Sequence, residues 1–194
     1  MARYMRWVPP LFVVSLCLLC IHVLDDAFNL NEPGDWGVSV PEFLLIVASM
    51  YLIIPPLGAA MARRGRSLGF AIVMLYAFQA FYAAGFNHIR HLTGDFGGIG
   101  IFGKALMAAG VDCLNMKGQG YVTGILAMLG CGTTSPHSHS WWSTVVAATD
   151  MVLNIPLILF CILALIQWWR EHGRLVGAQV ATTSAAHANL KSEV

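Results

Sequence analysis

Long apolar runs separated by short polar breaks dominate this chain. The runs are Trp7–Leu24, Val40–Ala62, Leu68–Phe86 and about Trp141–Trp169. Each approaches or exceeds the roughly 20 residues that cross a bilayer as helix. The pattern places spans at about 7–24, 40–62, 68–88 and 141–169. Between the third and fourth lies a Gly-rich stretch, 93–140, with two shorter apolar segments, Ile99–Val111 and Tyr121–Cys131. Their length suits re-entrant or interfacial helices rather than spans. The predicted fold class is therefore all-α: an integral membrane four-helix bundle with a Gly-rich extracytoplasmic loop carrying short re-entrant or interfacial helices. Six spans is the competing count. Residues 1–174 form a single transmembrane domain, and the Ala/Thr/Ser-rich segment 175–194 reads as a disordered cytoplasmic tail. Pro55, Pro56 and Pro156 predict kinks.

Charge orients the bundle. Arg3, Arg6, Arg63, Arg64, Arg66, Arg170, Arg174 and Lys191 fall on one side, eight of the eleven Lys/Arg. Eight of the ten acids fall on the other. The positive-inside rule then puts both termini in the cytoplasm. The tryptophans agree, with Trp7, Trp168 and Trp169 at one edge and Trp36, Trp141 and Trp142 at the other. No small-x-small cleavage site follows the first run, so it reads as an uncleaved signal-anchor. Composition adds that 57% of residues are hydrophobic and 11% charged, with mean hydropathy +0.67. A net charge of +1 with no basic stripe excludes a nucleic-acid partner. The expected surroundings are membrane lipids, with partner subunits or further copies of the chain as possible neighbours.

Ionisable residues interrupt the apolar pattern at one depth. His22 lies about 22 Å along the first helix from Trp7, and His88 about 30 Å beyond Leu68. Asp150 lies about 27 Å before Trp168. His22, Asp25 and Asp26 share a helix face, as do His88 and His91, and Asp150 and Asn154. Paired ligands on facing helices are how bundle-core metal sites are built. The expected metal ligands are His22, Asp26, His88, His91 and Asp150, supported by Asp25 and Asn154. Imidazole with carboxylate favours zinc or iron as the divalent ion, with manganese or copper as further options. The competing reading treats the same residues as helix ends at the headgroup layer, where polar groups cost little.

In the loop, His137 and His139 form an H-x-H pair that reads as an accessory metal site or as plain solvated loop. Cys113 and Cys131 face a periplasm or lumen, where disulfides persist, and pairing them would staple the two short segments. Three functions compete. One is a metal-dependent enzyme acting on a lipid-like or small apolar substrate, its site facing the periplasm or lumen. The second is a non-catalytic accessory or metal-binding subunit of a larger membrane complex. The third, a proton or ion transporter, is weakened because the inner half of every span lacks a matching ionisable group, with Gln79 and Gln167 the only polar candidates at depth.

Overall fold

The computed structural model describes residues 3–30, 32–82, 99–116, 118–131 and 141–192. Among these residues the chain is helical, with no strand. A 3-10 turn, Arg3–Trp7, leads into α1 (Val8–Asn29). Pro9 and Pro10 sit in its first turn, where a missing N–H leaves no bond unmade. A one-turn helix, α2 (Glu32–Trp36), folds back over the end of α1. α3 (Val40–Tyr51) starts at a capping box in which the Ser39 N–H donates to Glu42 at 2.8 Å.

The second apolar run is one spanning-length stretch broken into two helices at its proline pair. α3 ends at Tyr51, and α4 (Ile54–Arg63) begins with Pro55 and Pro56 in its first turn. Pro55 and Pro56 lack the N–H groups that would bond back to the Tyr51 and Leu52 carbonyls, so α3 ends there and a new helix starts with the prolines in its first turn. α5 (Ser67–Gln79) follows a tight turn at Gly65, which has φ +73°. That residue lies where the Gly65 and Arg66 N–H groups reach back to Ala62 and Met61.

Outside these come α6 (Ile101–Ala108) and α7 (Tyr121–Met128), each eight residues and far too short to span. α8 (Trp141–Ser192) runs through Pro156 without interruption. Its backbone stays helical across the stretch whose composition predicts disorder. Alanine, frequent there, has the highest intrinsic helix propensity.

Three helical stretches are long and apolar enough to cross a membrane: Tyr4–Asn29, Val40–Arg63 and Trp141–His172. Ser67–Tyr82 is apolar but shorter, and the sequence-predicted end of that span, with His88, lies outside the described residues. These features are compatible with an integral membrane protein.

Packing follows two patterns. α1 buries Val8, Phe12, Ser15, Leu19, His22 and Asp26. α8 buries Ser143, Ala147, Asp150, Asn154, Leu157, Cys161 and Ala164. Both stripes advance by alternating steps of three and four, the seam of coiled-coil packing, and the two helices lie against each other. α4 and α5 meet through small residues instead. A Cβ added to Gly69 would stand 2.2 Å from the Ala62 backbone nitrogen, so the two backbones touch.

Candidate functional site

The α1 and α8 seams change character along their length. Toward the N-terminus of α1 and the middle of α8 they are apolar, with Val8, Phe12, Leu157 and Cys161 fully or almost fully buried. Toward the opposite end they become polar. Ser15, His22, Asp25, Asp26, Ser143, Asp150 and Asn154 are all at most 5% exposed.

Two groups occupy this polar half. In the deeper one, Asn154 Nδ2 donates to Ser15 Oγ and to Asp150 Oδ1, both at 3.0 Å. It also donates to the Asp150 carbonyl at 2.8 Å. The Ser15 and Tyr76 hydroxyls share a hydrogen bond of 3.0 Å, which brings α5 into the group. Tyr76 meets Tyr51 edge to face, and Gln79 Nε2 donates to the Tyr51 hydroxyl at 2.6 Å. Asp150 Oδ2 is buried and accepts no hydrogen bond from any described residue. A lone carboxylate oxygen in that setting calls for a cation or a proton.

In the outer group, His22 Nε2 lies 3.4 Å from Asp26 Oδ2 one helical turn on. Its other nitrogen, Nδ1, is 3.3 Å from Ser143 Oγ on α8. Asn29 donates to Asp25 Oδ1 at 2.7 Å. α2 then brings Glu32 into hydrogen-bonding contact with Asp26. The Glu32 carboxyl is pushed up to about 7, chiefly by burial and secondarily by Asp35. The hydrogen bond with Asp26 and the nearby Trp36 indole pull it down, although that indole does not reach regular hydrogen-bond geometry.

A small covering unit closes this end. Gly118 and Gly120 donate backbone bonds to Asp35 and Trp36, at 3.1 and 2.7 Å. The Trp36 ring packs so closely on Gly124 that a Cβ there would stand 2.3 Å from it. Cys113 and Cys131 form a disulfide that ties the residue range after α6 to the end of α7, and Gly100 donates to the Gly130 carbonyl at 2.7 Å.

Of the sequence-predicted ligands, the structure brings His22 and Asp26 together. Asp150 joins the deeper group through Asn154 and Ser15. His88, His91, His137 and His139 lie outside the described residues. Among the described residues no three His, Cys, Asp or Glu side chains are grouped to hold a metal ion. Asn154, expected beside Asp150 as support, gives its amide to Asp150 and Ser15.

Sequence reasoning missed Ser15, Ser143, Tyr76, Tyr51 and Glu32. Spacing offered a signal for two of them. Ser15 precedes His22 by seven residues and Ser143 precedes Asp150 by seven, so each continues the stripe of its ionisable neighbour. No protein-family model, curated protein or solved structure matches the chain.

Proposed function

We propose that the chain is an integral membrane protein with four spans that binds a divalent metal ion at the acidic, extracytoplasmic end of its bundle. One observation carries this reading. Three carboxyls, Asp25, Asp26 and Asp150, and one imidazole, His22, are buried within the apolar helices. At Asp150 one carboxylate oxygen is buried and accepts no hydrogen bond from any described residue. Negative charge in low dielectric needs a compensating cation. His22 and Asp26 are the ligands in reach of each other, and His88 and His91, expected at the top of the third span, would complete the set. Zinc or iron suits these donors best.

An enzyme acting on a lipid-like or small apolar substrate is the favoured use. An apolar groove of about 230 Å³ between α1 and α3, lined by Leu19, Val23, Leu44 and Val47, reaches Tyr51 of the deeper polar group. It offers hydrocarbon a place next to the polar group. A transporter fits less well, because Phe12, Val73, Leu157 and Cys161 fill the interior beyond Ser15 and Asn154. An accessory subunit remains the rival, and co-purification of a fixed partner after gentle solubilisation would favour it.

The deciding measurement is elemental analysis of protein purified without added metal. About one equivalent of zinc or iron is expected, falling to background in His22→Ala/Asp26→Asn. Equal background levels in both proteins would leave the buried carboxyls protonated and the metal reading wrong.

A further inference from the structure

At the basic end of the molecule, remote from the acidic group, a cavity of about 350 Å³ opens between the α4–α5 turn and α8. Arg63, Arg64, Phe70, Gln167, Trp168 and Glu171 line it. Arg63, Arg64 and the neighbouring Arg66 are exposed, and among the described residues none of the three pairs with a carboxylate. Glu171 is held by its own helix, accepting from Gln167 Nε2 at 2.7 Å. Gln167 in turn accepts from the Tyr4 hydroxyl at 2.7 Å. Two guanidinium groups therefore face a pocket whose single acid is already engaged.

Trp168 is shared with a second groove, of about 370 Å³, between α5 and α8. That groove is apolar, walled by Leu68, Ala71, Leu165 and Trp169. Trp169 is 78% exposed, and Trp7 is exposed at the same end. Such tryptophans mark the headgroup level of a bilayer. A cationic pocket at headgroup depth thus continues into a slot at acyl-chain depth.

We propose that these two cavities form one binding site for an anionic phospholipid. Its phosphate sits on Arg63 and Arg64, and one acyl chain lies in the Leu68–Ala71–Leu165–Trp169 groove. Arginine forks match phosphate oxygens in geometry as well as charge. Basic pockets between helices at the cytoplasmic surface recognise such headgroups. A soluble phosphate compound would satisfy the arginines, but it gives the contiguous apolar slot nothing to hold.

The test uses full-length protein in neutral detergent, with thermal unfolding followed on addition of dioleoyl-phosphatidylglycerol, dioleoyl-phosphatidylcholine or inorganic phosphate. Phosphatidylglycerol should raise the midpoint by several degrees, phosphatidylcholine should not, and the effect should shrink as salt rises. In Arg63→Gln/Arg64→Gln the apparent affinity should fall on the order of tenfold. Ala71→Trp, which fills the slot and leaves the arginines intact, should weaken it as well. Equal shifts with both lipids, or a full shift retained in the arginine variant, would overturn the proposal. Inorganic phosphate reproducing the whole shift would assign the pocket to a soluble ligand and overturn the lipid reading too.

Discussion

The Asn154 amide on α8 donates to the Ser15 hydroxyl on α1 at 3.0 Å, and both side chains are completely buried. This contact joins α1 and α8 at the level where their shared seam turns from apolar to polar. Asn154→Leu would strip a donor from both Ser15 and Asp150. It should destabilise the protein by about 1–3 kcal/mol, the cost of leaving a buried polar group unsatisfied. A double-mutant cycle with Ser15→Ala should isolate a coupling of about 0.6 kcal/mol, the usual worth of one interhelical bond inside a membrane protein. Zero coupling in reversible unfolding would show that the bond contributes nothing.

Asp150 responds differently alone and in company. Asp150→Leu/Asn154→Leu replaces the whole polar pair on α8 with apolar groups of similar size. Such replacement of buried polar pairs is often neutral or stabilising. The double variant should therefore melt at or above wild type while Asn154→Leu melts below it. A double variant less stable than either single one would mean that Asp150 contributes favourably to folding.

Two glycines separate crowding from backbone strain. Gly69→Ala places a methyl 2.2 Å from the Ala62 backbone nitrogen and 2.6 Å from the Gly58 carbonyl oxygen. Backbone cannot step aside as a side chain can, so the loss should approach about 3 kcal/mol. Gly65→Ala meets nothing within 4 Å, yet must hold φ +73°. Its cost should be the left-handed penalty alone, about 1–2 kcal/mol. Thermal melts that reverse this order would contradict the α4–α5 packing.

The Cys113–Cys131 disulfide closes a loop with a sequence separation of 18. Peptide mapping without reduction should recover the two cysteines linked. Cys113→Ser/Cys131→Ser should lose about 3 kcal/mol on the chain-entropy scale. It should also make the α6–α7 region the first to be cut by protease. Free thiols at both positions in freshly isolated protein would refute the linkage.

The helical class and the three long apolar stretches are legible in the sequence because hydrophobic length is a strong, local signal. The burial of His22, Asp26 and Asp150 is legible too, since each sits on the periodic face of its helix. What the pattern hid is partner identity. Ser15, Ser143 and Tyr76 are ordinary residues in apolar helices until a neighbouring helix aims a polar group at them. The break between α3 and α4 was half visible. Pro55 and Pro56 announced a disturbance, but a kink and a fresh helix start have the same sequence signature. Glu32 was hidden for another reason. Its role depends on a single helical turn, α2, whose Gly and Pro read as loop.

The alternating three-and-four stripe that unites α1 and α8 constrains how the molecule can move. Ser15, His22 and Asp26 share one edge of α1 with Phe12 and Leu19, as Asp150 and Asn154 share one edge of α8 with Leu157. Rolling either rod about its long axis by a single position, about 100°, would swing carboxyl, amide and imidazole groups out of the shared seam onto an apolar outer face. Sliding and tilting keep them sheltered. Any conformational cycle of this protein is therefore confined to pistons and rockers, and axial twisting is forbidden by its own polar ridge.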